Sequence, residues 1–96
     1  MKYSMDDIKN KVCVVIGGSG IIGKALSFGL AEAGAKVAII GTKKDKSESV
    51  AKEINEKFPS STIGLAANVL DKDALVAAKN EINEKLGPVD VLVNCA

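Results

Sequence analysis

Apolar residues in the first half of the chain form short continuous runs separated by a periodic segment. The runs at residues 12–16 and 37–40 are rich in β-branched side chains, which is typical of strands buried on both faces of a parallel sheet. Between them apolar residues recur at spacings of three and four, which predicts an amphipathic helix. Gly34 is placed to end this helix in the left-handed conformation. The predicted apolar stripe consists of Ile22, Ala25, Leu26, Gly29, Leu30 and Ala33.

A second helix is predicted after the second strand. Asp45 and Glu48 have the spacing of a capping box, with Asp in the position usual for Ser or Thr, so we expect Asp45 to cap this helix. Pro59 is expected to end it. The apolar stripe of this helix consists of Val50, Ala51, Ile54 and Phe58.

Two further strands and one helix complete the pattern. Residues 62–68 form a weaker predicted strand, and residues 89–94 form a fourth one. Asp71 is placed to cap the helix between them, and the Gly-Pro pair at residues 87–88 stops it. The stripe of this third helix consists of Leu75, Ala78, Ile82 and Leu86.

The order of these elements predicts the fold class. Short strands that alternate with helices indicate an α/β protein with a parallel sheet and right-handed crossovers. We expect the βαβαβαβ N-terminal part of a doubly wound Rossmann fold, with the strand order 3-2-1-4. In that order the third crossover changes faces and leaves a crevice between strands one and four, above their carboxyl ends. Gly17 and Asn94 are expected to point into this crevice.

Length and composition limit the class of protein further. The chain has 96 residues, which suffice for one domain with one core, and its net charge of +1 gives no reason to expect a nucleic-acid partner. Its apolar runs fall short of the eighteen or so residues of a membrane span, and its N-terminus lacks the apolar centre of a signal peptide. We therefore expect a cytoplasmic protein without membrane contact.

The two cysteines, Cys13 and Cys95, lie in strand-like apolar runs. In the expected register they stand roughly 13 Å apart along the strands, which is beyond the reach of a disulfide. Their spacing is not that of a metal site. We expect two unpaired thiols and no bound metal.

The glycine-rich stretch GGSGIIGK after the first strand fits two kinds of phosphate-binding loop. Read as G-x-x-x-x-G-K, it resembles a loop for ATP or GTP, but Ala25 stands where a magnesium-binding Ser or Thr should follow Lys24. The acidic metal partner expected at the end of the fourth strand is replaced by Asn94. Read as G-x-x-G-x-x-G, it closes a strand and opens a helix, which is the context of a dinucleotide-binding turn. We favour this second interpretation, in which the required glycines are Gly17, Gly20 and Gly23.

The end of the second strand bears on the choice of coenzyme. In NAD-preferring sites an acidic residue there accepts hydrogen bonds from the ribose and repels a 2′-phosphate. Here Gly41 holds that place, and Thr42, Lys43 and Lys44 follow it. Because nothing repels the additional phosphate and two ammonium groups could reach it, the pattern favours NADP(H) over NAD(H).

Four stretches, taken together, resemble the short-chain dehydrogenase/reductase family over the whole length of the chain: DIKNKVCVVIGGSGIIGKAL, LAEAGAKVAII, LAANVLDKDAL and GPVDVLVNCA. The glycine-rich turn and the segment NVLDKDAL look most like the D-mannonate oxidoreductase (fructuronate reductase-type) branch. The resemblance implies hydride transfer between a nicotinamide coenzyme and a carbonyl or secondary alcohol. It also implies a small-molecule substrate, a sugar acid in that branch, and a homo-oligomer when the protein is complete.

The resemblance assigns particular residues to the coenzyme. Ile16, Ile21 and Asn68 depart from the Thr, Gly and Asp that are usual in the family, which leaves the affinity open. The amide oxygen of Asn68 can still accept a hydrogen bond from the adenine amino group. The implied contacts are Gly17, Ser19, Gly20, Ile22 and Gly23 at the pyrophosphate, Thr42 and Lys43 at the adenosine ribose, Asn68 and Val69 at the adenine, and Asn94 and Ala96 beside the coenzyme.

The catalytic Ser, Tyr and Lys of the family have no counterpart in this chain. Its single tyrosine, Tyr3, is not followed by lysine at the spacing of the family, and the chain has no histidine. We expect the cofactor-binding N-terminal half of a reductase domain that has no catalytic residue of its own and is inactive alone. The alternatives are a non-catalytic dinucleotide-binding or redox-sensing module complete at this length, and a P-loop-type nucleotide binder.

The fourth predicted strand is expected to lie at an edge of the sheet, and Asp90 is its one charged residue. Because an apolar, unprotected strand edge pairs readily with other chains, we expect the isolated chain to be prone to aggregation or to need the other half of the domain.

Overall fold

The computed structural model describes residues 8–17, 19–68 and 70–95. Strands and helices alternate in the order that the sequence predicts. The expectations for Tyr3, Val69 and Ala96 lie outside the described residues. The elements are β1 (Val12–Ile16), α1 (Ile21–Glu32), β2 (Lys36–Gly41), α2 (Lys44–Lys57), β3 (Thr62–Ala66), α3 (Lys72–Lys85) and β4 (Val91–Asn94).

The four strands form one parallel sheet in the order β3-β2-β1-β4, which confirms the predicted topology. The register places Cys13 of β1 beside Val91 of β4, four residues before Cys95. Both thiols are free. The geometry therefore agrees with the prediction that no disulfide joins them.

The sheet carries a hydrophobic core on each face, because successive side chains of a strand point to opposite sides. Val14 of β1 belongs to one core together with Ile82 of α3. Val15 belongs to the other core, together with Ala31 of α1 and Ile54 of α2. Since α3 lies on the opposite face from α1 and α2, the crossover from β3 to β4 changes faces, as predicted.

The third and fourth strands are shorter than predicted. β3 ends at Ala66 rather than at Asn68, and β4 begins at Val91 rather than at residue 89. At the start of β4, the Asp90 carboxylate accepts a hydrogen bond of 2.9 Å from the N–H of Val12. A side chain thus takes the place of a ladder bond at this point.

The buried face of α1 differs from the predicted stripe. Ile22 is 76% exposed and Ala25 is exposed, whereas Leu26 and Leu30 are half-buried. Leu26 and Leu30 pack against the core as predicted, but the most deeply buried positions are small residues, which allow the helix backbone to approach the sheet closely. The fully buried residues of this helix, spaced four apart, are Gly23, Ser27 and Ala31.

The end of α1 confirms the role predicted for Gly34. Its φ of 94° is left-handed, and its N–H donates to the carbonyl of Ala31 at 3.0 Å. The N–H of Ala35 donates to the carbonyl of Leu30, also at 3.0 Å. These two bonds form a Schellman motif, which satisfies carbonyl groups of the last turn.

α2 begins two residues earlier than predicted. Lys43 occupies the cap position with extended backbone angles, and Asp45 lies inside the first turn. The prediction that Asp45 caps the helix was therefore wrong, although its carboxylate remains near the positive end of the helix dipole. The predicted stripe is confirmed for Val50, Ala51 and Ile54, which are buried, while Phe58 is half-buried.

α3 begins as predicted. The Asp71 carboxylate accepts a hydrogen bond of 3.1 Å from the N–H of Ala74, which makes Asp71 the N-cap. Ala78 and Ile82 are buried, and the other two residues of the predicted stripe are half-buried.

Candidate coenzyme-binding site

The glycine turn, which begins at Gly17 and ends at Gly20, follows β1 and leads into α1. A hydrogen bond also joins it to β2. Gly17 has a φ of 81°, a left-handed conformation that favours glycine. Its N–H donates to the carbonyl of Ile40 in β2 at 2.7 Å, and its own carbonyl accepts from the N–H of Gly20 at 3.1 Å. The turn is thereby held at the carboxyl end of the sheet and leads directly into α1.

The N-terminus of α1 is suited to an anion. Gly20 is its cap residue and makes no side-chain cap hydrogen bond. The first N–H groups of a helix lack partners within the helix, and the helix dipole makes this end positive. These are the two properties by which helix N-termini bind phosphate groups.

The backbone conformation of Gly20, unlike that of Gly17, does not require glycine. Its φ of −77° is open to any residue. A Cβ atom on Gly20 would meet only the carbonyl oxygen of Gly17, at an ordinary distance of 3.5 Å. Packing within the described chain therefore leaves space above Gly20, which a phosphate group could use for close approach to the backbone.

Apolar side chains border the turn. Ile21 is 92% exposed at the first position of α1, and Ile22 follows it. Gly23 is buried, and its carbonyl accepts a hydrogen bond of 2.8 Å from the hydroxyl of Ser27. Polar backbone and apolar side chains together are what a nucleotide, with its phosphates and flat rings, requires.

The end of β2 lies beside the turn and carries no acidic side chain. Gly41 is the buried last residue of this strand, and Thr42 and Lys43 after it are exposed. Lys43 occupies the cap position of α2 without a side-chain cap bond. A hydroxyl group and an ammonium group therefore stand next to the place where the ribose would be expected.

Ser19 of the turn and Ser47 of α2 converge on Gly41. A Cβ atom on residue 41 would lie 2.9 Å from the hydroxyl oxygen of Ser19 and 2.7 Å from that of Ser47. Sequence reasoning missed Ser47. Its signal was a polar residue in phase with the apolar stripe of α2, three residues before Val50 and seven before Ile54.

Asn68 begins a turn after β3. Its side-chain oxygen accepts from the N–H of Leu70 at 2.9 Å, and its carbonyl accepts from the N–H of Asp71 at the same distance. Because an amide oxygen has two lone pairs, one acceptor position remains. The predicted contact with the adenine stays a prediction.

Asn94 lies at the same end of the sheet as the glycine turn. It pairs with Ile16 in the register of β1 and β4. The N–H of Cys95 donates to the carbonyl of Ile16 at 2.7 Å, which extends the pairing to the end of β1. The structure thus brings Gly17 and Asn94 to the carboxyl ends of the neighbouring strands β1 and β4. That both residues point into a crevice there stays a prediction.

A cavity of about 680 Å³ lies on the face of the sheet covered by α3. Its lining is mainly apolar and includes Val14, Leu75, Ile82, Val89 and Leu92. It is thus distinct from the glycine turn, whose helix packs on the opposite face.

Lys24 does not serve the turn in the way that the G-x-x-x-x-G-K reading requires. Its ammonium group forms an ion pair of 2.6 Å with the Glu53 carboxylate of α2. Both side chains are about half exposed, with 42% and 50% of their surface accessible. This ion pair weakens the ATP-loop reading, because it draws the ammonium group toward α2.

Among residues 8–17, 19–68 and 70–95, no group of three or more His, Cys, Asp or Glu side chains could hold a metal ion. No helix within the same residues is long and apolar enough to cross a membrane.

A parallel sheet of this order, with a glycine turn leading from its first strand into a helix, defines the dinucleotide-binding class of α/β proteins. The family model of the short chain dehydrogenases matches residues 11–96. The chain belongs to the short-chain dehydrogenase family.

Relatives and solved structures are consistent with this membership. The chain is 37% identical over 91 residues to the uncharacterized oxidoreductase UxuB of Bacillus subtilis (strain 168), covering 95% of this chain and 32% of the relative. It is 38% identical over 88 residues to sorbitol-6-phosphate 2-dehydrogenase of Escherichia coli (strain K12), covering 91% of this chain and 34% of that enzyme. The chain thus spans about a third of the length of these relatives.

Among solved structures, a candidate D-mannonate oxidoreductase from Haemophilus influenza with bound NAD superposes with a TM-score of 0.85 at 26% identity. The match covers 92% of this chain and 32% of that one. It agrees with the branch of the family that the sequence resembles.

Proposed function

We propose that this chain binds the coenzyme of an NAD(P)-dependent oxidoreductase that transfers hydride between the nicotinamide and a carbonyl or secondary alcohol. In this proposal it is the N-terminal half of one Rossmann domain, and the catalytic groups belong to the rest of the enzyme. A sugar acid or related polyol is the proposed substrate class, in keeping with relatives named for sorbitol 6-phosphate and D-mannonate. We propose that the complete protein is cytoplasmic and that it forms a homo-oligomer.

The observation that carries the proposal is the glycine turn at the carboxyl end of β1. Gly17 adopts a left-handed conformation there, and the turn leads into a helix N-terminus without a side-chain cap. The space above Gly20 would allow a phosphate group to approach the backbone. When bound, the coenzyme supplies hydride chemistry, and this chain supplies the site that holds and orients it.

The residues proposed to hold the coenzyme surround this turn. Ser19, Gly20 and the start of α1 would take the pyrophosphate, and Thr42 and Lys43 the adenosine ribose. Because Gly41 places no carboxylate at the end of β2, we propose that NADP(H) binds more tightly than NAD(H). The bound NAD in the solved structure belongs to that relative, so the preference of this chain for NADP(H) or NAD(H) has to be measured.

Titration of the purified chain with NADPH, NADH and magnesium-ATP tests the proposal. Calorimetry should show binding of both reduced coenzymes, with the lower dissociation constant for NADPH. The variant Gly20→Ala should weaken coenzyme binding by about tenfold or more, because its methyl group occupies the space of the phosphate. It should lower the melting temperature by only a few degrees, because alanine is a poorer N-cap than glycine but its methyl group meets no close contact in the fold.

The control for this variant is Gly29→Ala. A Cβ atom at residue 29 would meet no atom within 4 Å, and this position lies in α1, away from the turn. It should leave coenzyme affinity unchanged. Binding of magnesium-ATP in preference to both coenzymes would instead favour the nucleotide-triphosphate reading of the loop.

A further inference from the structure

We propose that Ile21 contacts the bound coenzyme, because its side chain is exposed at the first position of α1, beside the N–H groups proposed to hold the pyrophosphate. The inference rests on the proposed coenzyme function. It assigns to this side chain the exclusion of water and salt ions from the bound phosphates. Glycine is usual at this position in the family, so the contact is one that the usual residue does not make.

The fold gives no reason for isoleucine at residue 21. The side chain is 92% exposed, so its packing within the described residues contributes almost nothing to stability. Isoleucine is also a poorer helix former than alanine, because its branched Cβ atom restricts the rotamers that a helix allows. Ile22 beside it is 76% exposed, so two large apolar side chains meet water at the start of this helix. Such a pair is suited to contact with a bound molecule.

The geometry of a helix start directs the Ile21 side chain toward the proposed phosphate position. In an α-helix each Cα–Cβ bond is tilted toward the N-terminus. The cap residue Gly20 has no side chain, and apart from its chain neighbours a Cβ atom there would contact only the carbonyl oxygen of Gly17. A phosphate group in the space above Gly20 would therefore be flanked by the side chain of Ile21.

The charges at this helix start are the reason why an apolar contact would matter. Lys24 is the one charged residue between Gly17 and Ala25, and its ammonium group is paired with the Glu53 carboxylate. The proposed attraction for the pyrophosphate therefore comes from backbone N–H groups and the helix dipole, and salt screens such an attraction. A hydrocarbon side chain beside the anion displaces water, lowers the local dielectric constant and so strengthens the attraction.

Ile21→Ala tests this role with little risk to the fold. The change removes atoms from the surface rather than from a core, and alanine is the better helix former, so the melting temperature should stay the same or rise. Calorimetric titration should give a dissociation constant for NADPH about fivefold to tenfold higher than that of the parent chain, because apolar contact area is lost. Ile21→Leu keeps an apolar side chain of the same size and should retain most of the affinity. An equal loss in both variants would contradict the role of apolar area.

The salt dependence of binding separates the shielding of the phosphates from a change in helix stability. The titrations are repeated in about 50 mM and about 500 mM sodium chloride, and Ile21→Ala should lose more NADPH affinity between them than the parent does, because its phosphates are less protected from screening. The screening of other charges is common to both chains and cancels in the comparison. Val76→Ala is the matched control. It removes a half-exposed β-branched side chain from α3, on the other face of the sheet, and should change neither the affinity nor its salt dependence.

Failure of this inference can be told apart from failure of the proposed function. If the parent binds NADPH but Ile21→Ala keeps either the affinity or the salt dependence of the parent, this inference alone is overturned. It is also overturned if Ile21→Ala melts well below the parent, because the side chain would then serve the fold. If the parent binds neither NADPH nor NADH, the proposed function fails, and this inference fails with it.

Discussion

The surroundings of the Cys13 side chain change the pKa of its thiol. Cys13 of β1 is fully buried, and this burial raises the pKa of its thiol above the ordinary value of 9.0. The nearby Asp90 carboxylate raises the pKa further, because it disfavours a second negative charge. The folded chain therefore holds the thiol proton more tightly than the unfolded chain does.

This difference predicts a pH dependence of stability. A raised pKa in the folded state contributes stability that is fully present below the unfolded pKa and is lost as pH rises above it. We expect the free energy of unfolding to fall above about pH 9 by up to about 1.4 kcal/mol per pH unit from this group.

Urea unfolding of the parent and of Cys13→Ala between about pH 8 and about pH 10 measures this contribution. All other ionisable groups are the same in the two chains, so their effect cancels in the difference between the two curves. The stability advantage of the parent should shrink as the pH rises. An advantage that stays constant over this range would contradict the assignment.

At the scale of elements, the distance between helix and sheet depends on small residues. On α1 these are Gly23, Ser27 and Ala31. On β3 the small residue is Gly64, where a Cβ atom would overlap the backbone of α2 at Ser47 and Glu48. Hydrophobic periodicity does not detect such contacts, because it weighs large apolar side chains and these residues are small.

Gly64→Ala should therefore be strongly destabilising. Backbone atoms of α2 cannot rotate away as a side chain can, so we expect the free energy of unfolding to fall by about 3 kcal/mol or more. Gly29→Ala is the matched comparison and should raise it by about 0.5–1 kcal/mol, because alanine is the better helix former. Chemical denaturation of both variants measures the two effects, and a mild cost for Gly64→Ala would contradict the close approach.

Element boundaries were predicted well where a local signal marks them. Asp71 and Gly34 act as the sequence indicates, because an N-cap and a left-handed C-terminus involve neighbouring residues. The start of α2 was misplaced at Asp45. There the backbone angles of Lys43 set the boundary, and no side chain caps the helix.

At the scale of the whole molecule, the two faces of the sheet are covered unequally. α1 and α2 pack on one face, and the other carries α3 and the apolar cavity beside β4. Leu92 of β4 lines this cavity and is 63% exposed. Asp90 does not protect this edge, because its carboxylate is turned to the N–H of Val12 in β1.

We therefore expect the purified chain to self-associate through β4 and the cavity, which would bury apolar surface and pair a free strand edge. Leu92→Lys should shift the chain toward monomer in sedimentation velocity runs at several concentrations, because a lysine on an edge strand opposes pairing. Leu70→Lys adds the same charge at an exposed loop position and should not. A parent chain that is monomeric at all concentrations would contradict this expectation.

The sequence by itself determined the order of strands and helices, the parallel sheet and the place of the glycine turn. These follow from interactions between neighbouring residues and from the short strand–helix repeat, which leaves few possible topologies. Only the tertiary structure decided which face of α1 is buried, that Asp90 bonds to β1, and that the hydroxyl groups of Ser19 and Ser47 lie against Gly41. Those features depend on distances between segments far apart in the chain, and residue spacing carries no measure of such distances.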